Sequence, residues 1–177
     1  MSFLLGFWLI GSALASSEAF TVQGIKFVSR TNLSAITVHG EAPTQKGSAV
    51  LEGGSIQTAK IVIPVASFDT GMKLRDEHMR EKIFTTSSGQ TPDVEIQLDK
   101  PVSAPKGEGT LELPLKGRIR GNTASFPATC ATSGSKPWVC QAKIHLADFQ
   151  IEPPSHLGVK VSPDVELQFE IALSAKP

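Results

Sequence analysis

Val165-Glu166-Leu167-Gln168-Phe169-Glu170-Ile171 alternates apolar and polar side chains at every step. That period of two marks a β-strand with one face buried and one in water. The device recurs along the chain, in Ile25 and Phe27, in Ile61, Ile63 and Val65, in Val94, Ile96 and Leu98, in Leu111, Leu113 and Leu115, and in Ile144 with Leu146. Turn residues separate the runs, including Gly53-Gly54, Gly121-Asn122 and Ser162-Pro163-Asp164. Many short alternating strands with such punctuation predict an all-β antiparallel sandwich or barrel.

One stretch breaks the alternation. Met72 to Phe84, MKLRDEHMREKIF, has no Gly or Pro and is rich in helix formers. The spacing predicts a helix over 72–84 with Met72, Met79 and Ile83 on one face, and Asp69 or Thr70 as its N-cap. One helix is too small to cover the apolar face of a sheet, so the sheet is expected to close on itself. The helix then becomes a plug or lid.

Composition narrows the function. The 177 residues are 40% hydrophobic and 19% charged, which suits one packed domain. Lys plus Arg equals Asp plus Glu at 17 each. A nucleic-acid partner is therefore not expected, because such proteins carry an excess of basic residues. Ser2 to Leu14 has no charge, and Ala13-Leu14-Ala15 supplies a small-x-small pattern at its end. About a dozen apolar residues is too short to span a bilayer, which takes roughly 20. The segment reads as a signal peptide over 1–15, cut after Ala15, with the folded domain over 16–177 in a periplasmic or secreted location. No stable membrane anchor is expected. The only cysteines, Cys130 and Cys140, have no zinc-type spacing. In an oxidising compartment they are expected to form a disulfide.

Catalytic signatures are missing. His39, His78, His145 and His156 are not spaced as metal ligands, and no HExxH, G-x-S-x-G or phosphate loop occurs. Asp76 and His78 stand two apart on the expected helix and so do not face each other. Neither an enzyme, a metal nor a cofactor is expected. Asn32-Leu33-Ser34 fits a glycosylation sequon, a triplet common by chance. The most informative constellation is Val65-Ala66-Ser67-Phe68-Asp69-Thr70-Gly71 followed by Leu74-Arg75-Asp76-Glu77-His78-Met79. It reads either as a polar lock fastening the helix to the barrel rim through Arg75, or as a binding site for a polar headgroup. The lock is the preferred of the two.

At this motif the chain resembles the YceI-like family of exported, lipocalin-like, polyisoprenoid-binding proteins. The matching pieces are Ser67 to Gly71 and Arg75 to Met79, then Leu113-Pro114-Leu115-Lys116-Gly117, Ala147-Asp148-Phe149-Gln150-Ile151, and Leu157 to Val161. Their order covers nearly all of 20–173. The resemblance implies an eight-stranded antiparallel barrel with one short helix near the mouth, holding an isoprenoid lipid with a polyprenyl or quinone-type tail. The ligand-lining set it suggests is Met72, Met79, Ile83, Phe84, Ile96, Leu98, Leu113 and Phe169. Ser67, Asp69, Thr70, Arg75, Asp76, His78, Asp148 and Phe149 would form its structural motif. The alternative is a solid-core barrel that acts through its surface and has no lipid ligand.

Overall fold

The computed structural model describes residues 16–173 apart from 44, 106 and 133–136. The expected signal segment and its junction lie outside the described residues. The strands are β1 (Ser16–Thr31), β2 (Thr37–Ala42), β3 (Gln45–Glu52), β4 (Ser55–Ile63), β5 (Val94–Leu98), β6 (Val102–Ser103), β7 (Gly109–Ile119), β8 (Asn122–Thr132), β9 (Trp138–His145), β10 (Ser155–His156) and β11 (Val159–Leu173). Eight of them form a closed antiparallel ring in the order β1-β3-β4-β5-β7-β8-β9-β11, and β11 pairs back onto β1. The short β2, β6 and β10 extend the ring at its ends, pairing β1, β4 and β11. Closure removes the sheet edges that an open alternating sheet would expose.

The longest strand changes face midway. Phe20 and Val22 point inward, then Ile25 and Phe27 do so, an odd step of three between Val22 and Ile25. Gly24 absorbs the extra residue at φ +58, and the pairing with β11 shifts register between Gln23 and Lys26. This is a β-bulge, which bends the strand and strengthens its twist. Before it β1 pairs β3, and after it β2. Gly40 and Gly47 serve the same closure differently. Each lies directly opposite a phenylalanine in register, Phe27 and Phe20, and a Cβ there would meet the ring at 2.1 and 2.3 Å. The rings fold across the missing side chains and fill the bend.

The helix is shorter than expected. The α-helix, α1, runs only over Lys73–Met79, and a wide π-type turn, Arg80–Phe84, completes the segment. Met72 precedes the helix in extended backbone and is 57% exposed, so it does not share a face with Met79 and Ile83. Gly71, at φ +76, turns the chain just before it. Neither Asp69 nor Thr70 is the N-cap. Met72 holds that position without a side-chain cap, because Thr70 donates instead to Asp76.

Behind α1 the end of the barrel is solid. Phe68 stacks on Phe84 at 5.0 Å and meets Phe27 edge-on at 6.0 Å. Val65, Leu146, Phe149 and Ile151 are each 3% exposed or less. The disulfide is present. Cys130 and Cys140 are opposed in register on β8 and β9, fully buried and bonded. It staples two neighbouring strands across their hairpin. Among the described residues, no helix is long and apolar enough to cross a membrane.

Candidate functional site

The inward faces of the ring leave a slender cavity of about 110 Å³. Along β4 it is lined from Ile56 through Ala59 and Ile61 to Ile63. Seven residue steps make that path roughly 20 Å long at about 3.3 Å per residue. Its walls are almost wholly hydrocarbon. Several wall residues, namely Leu51, Ile96, Leu98, Leu167, Phe169 and Ile171, are only half-buried although they belong to the core. A barrel filled by its own side chains would bury them fully. The unfilled space therefore runs along the stretch of the interior that these residues line.

Of the expected lining residues, Ile96, Leu98, Leu113 and Phe169 lie on this wall. Met79, Ile83 and Phe84 pack against the core at the helix-bearing end and do not border the cavity. Met72 faces solvent. The wall also takes Phe20, Val22 and Ile25 from β1, and Phe126 and Trp138 from β8 and β9. Those residues carry the same alternation, but period alone does not say which face of a strand points inward.

The polar motif is brought together locally. Arg75 donates from Nε to Thr70 Oγ1 at 2.8 Å and from its terminal nitrogen to the Thr70 carbonyl. The Thr70 hydroxyl donates in turn to Asp76 Oδ1, which also accepts the Thr70 N–H at 2.9 Å. Thr70 and Asp76 are buried. Asp69 carries the tie to the barrel, through a two-way backbone bridge with Glu41 of β2 at 2.7 and 2.8 Å. Its carboxylate accepts the Gly71 N–H at 2.6 Å. Ser67 donates to the Pro64 carbonyl at 2.7 Å. So Arg75 locks the helix to the 69–71 segment, and that segment is hydrogen-bonded to the rim. Phe149 lies buried against Gly117, and Asp148 beside it is exposed. His78 is exposed, with its ring 5.8 Å from that of His156.

Two clusters of charged groups lie on the outer surface. Hydrogen bonds from Lys60 and then Arg118 hold the Glu95 carboxyl below its usual range. Lys143 and then His145 do the same for Asp164. A wider concavity of about 980 Å³ crosses the outside of β1, β2, β9 and β11, lined by Lys26, His39, Glu41, Gln141 and Gln168. It is open to solvent, and its lining mixes these polar side chains with Phe27, Val28 and Leu167. Asn32 spends its amide on a structural clamp, donating from Nδ2 to Gly158 O at 3.1 Å and accepting the Lys160 N–H at 2.8 Å. Among the described residues, no group of three or more His, Cys, Asp or Glu is placed to hold a metal ion.

Comparison with known proteins agrees with this architecture. The family model described as YceI-like domain matches residues 15–173. A polyisoprenoid-binding domain from Saccharophagus degradans superposes with a TM-score of 0.63 at 14% identity, over 90% of this chain and 99% of its own. BcnA from Burkholderia cenocepacia gives 0.60 at 19% identity, over 86% and 96% of the two chains. A YceI protein from Campylobacter jejuni gives 0.52 at 15% identity, over 99% and 92%. At these identities the likeness is one of fold. No curated protein matches the chain.

Proposed function

The chain belongs to the YceI-like domain family, and from that premise we propose that it is an exported binding or carrier protein for an amphiphilic isoprenoid lipid. The observation that carries the reading is the slender apolar cavity with half-buried wall residues. A hydrocarbon tail lying there would remove both its own surface and that of the wall from water, at about 25 cal/mol per Å². A small, almost wholly apolar space suits a methyl-branched isoprenoid tail of polyprenyl or quinone type. The few polar atoms on the wall offer little to a charged headgroup, so affinity comes from the tail. The Saccharophagus relative is described as polyisoprenoid-binding, which supports the same class of ligand. The reading is of binding without a catalytic step.

Mass spectrometry of lipids extracted from protein purified without added ligand tests this directly, with an isoprenoid expected in the extract. Titration with isoprenoid alcohols of increasing length should show affinity rising until the cavity is full, then levelling. Leu98→Trp, placed on the wall, should weaken the longer alcohols most. Affinity independent of tail length would overturn the reading. Export rests on the uncharged start and Ala13-Leu14-Ala15, and the buried disulfide suits an oxidising compartment. N-terminal sequencing from the native host should begin at Ser16, and a retained Met1 would refute export by this route.

A further inference from the structure

β5 and β6 are one strand interrupted. Gln97 lies opposite Lys60 and Val102 opposite Ile56, five residue steps against four on β4. The extra residue falls at 99–101 and draws the chain away from its other neighbour, β7. Leu98 still pairs Leu115, and the Asp99 N–H reaches the Pro114 carbonyl at 2.8 Å. Past that point, among the described residues, no backbone pairing joins 100–105 to the 109–113 stretch of β7. Pro101, Pro105 and Pro114 have no N–H to donate across this seam, so it stays unzipped. The segment 99–105 is thus a strap whose middle is held from the β4 side. Its fastenings there are the pairs Ser55–Ser103 and Ile56–Val102, and the Ala104 N–H on Gly54 O at 3.0 Å. Beyond the strap, the Thr132 hydroxyl anchors the chain by donating to Gly107 O at 3.0 Å.

The seam opens on the cavity. Ala104 of the strap, Leu98 at the closed end of the seam and Leu113 across it all line the wall. At the helix-bearing end, by contrast, a tail would have to part the packed rings of Phe27, Phe68 and Phe84. We propose that the isoprenoid tail enters and leaves the barrel sideways, where 99–105 peels from β4. The inference names the route into the proposed carrier and rests on that reading for its purpose. With the strap lifted, β4 and β7 face each other across two strand spacings, roughly 10 Å. So short a pairing costs little to open compared with a core strand bonded on both sides. Asp99 and Gly107 stay fixed, so the strap closes again over the tail.

A full chain carrying Ser55→Cys and Ser103→Cys tests the route. The pair beside them, Gly54–Ala104, is hydrogen-bonded, so the two serines form a non-hydrogen-bonded pair. Their Cα atoms then lie about 4.5 Å apart, within reach of a disulfide. Ser103 is exposed and the next pair, Ile56–Val102, faces the core, so the new bond forms outside and leaves the cavity wall unchanged. Tritiated geranylgeraniol, offered in detergent micelles and removed by rapid gel filtration, reports the rate of uptake and the amount held. The oxidised variant is expected to load at least about tenfold more slowly than the same variant reduced, and to hold the same amount at equilibrium. The parent taken through the same reduction controls for Cys130–Cys140. Equal rates, with thiol counting showing the new bond formed, would overturn the route. A parent that holds no geranylgeraniol refutes the carrier reading instead. The strap itself is read without lipid, by hydrogen exchange on the parent. The Ala104 amide should exchange at least about a hundredfold faster than the paired amides of β5. Exchange as slow as that of β5 refutes the opening.

Discussion

Phe149 and Phe169 both belong to the barrel core, yet one is 1% exposed and the other half-buried. Phe149 stands at the helix-bearing end, where its ring lies 3.4 Å from the position a Gly117 Cβ would take, among Phe126, Leu146 and Ile151. Phe169 stands on the cavity wall. The two regions are built from the same alternating strands, and they differ in what is laid across them. At the helix-bearing end the segment from Val65 to Phe84 supplies extra apolar side chains from outside the sheet, and they fill the space. Along the rest of the tube the strands have only each other, and eight of them enclose slightly more volume than their side chains occupy. A solid end and a hollow middle thus come from one pattern, and the hollow part is the one free to take a ligand.

The strongest test of that contrast is truncation. Phe149→Ala should cost about 3–5 kcal/mol of unfolding free energy, since it opens a cavity in close-packed surroundings. Phe169→Ala should cost less than half as much, because part of that ring is not in contact now. Equal losses in urea denaturation would break the comparison. The disulfide comes next. Cys130→Ala with Cys140→Ala should lower stability by about 2–3 kcal/mol in the chain-entropy model for so short a loop. Thiol counting on the unfolded, unreduced parent should find none free.

Arg75→Ala sharpens the account of how the solid end is held. It should leave the buried Thr70 carbonyl and hydroxyl short of a donor, for a cost of roughly 1–3 kcal/mol. Because Arg75 is not on the cavity wall, binding of isoprenoid alcohols should persist at temperatures where the variant is folded. An unchanged melting temperature with weakened binding would make Arg75 a headgroup ligand instead of a lock.

The smallest effect is that of pH. Glu95 and Asp164 have carboxyl pKa values lowered in the folded state by hydrogen bonds from Lys60 and Lys143 first. A lowered folded-state pKa stabilises the protein above the unfolded carboxylate range, and that stability fades as pH falls through the folded value. Melting temperature should therefore be flat near neutrality and decline only in acid. Because both carboxylates lie at the surface, added salt should blunt the decline. A decline unaffected by salt would count against these two surface carboxylates as its source.

Much of this architecture was legible in the residues. Alternation at Val94–Leu98, Leu111–Leu115 and Val165–Ile171 identified strands that the structure contains, and the break at 72–84 located the helix. Two features escaped. The bulge at Gly24 reverses which side chains of β1 face inward, and a lone glycine in a strand pattern is too weak a signal to place it. Met72 looked like a helical residue by spacing, but the left-handed turn at Gly71 and the capture of Thr70 by Asp76 start the helix one residue later. Periodicity does not register hydrogen bonds between side chains that fold back locally.

The lining of the cavity divides the same way. Ile96, Leu98, Leu113 and Phe169 follow from alternation once the sheet is closed, whereas the contribution of β1 and β4 needed the ring itself. By itself the sequence determined the local choices: strand or helix, where turns fall, and which cysteines are available to pair. These depend on neighbours within a few positions, and composition and period report them. Only the tertiary structure decided which face of each strand is inside, that the 65–84 segment seals one end, and that a tube of space remains. Those outcomes depend on how β1 meets β11 across the whole length of the chain, and a volume left empty is a property of packing that no single residue encodes.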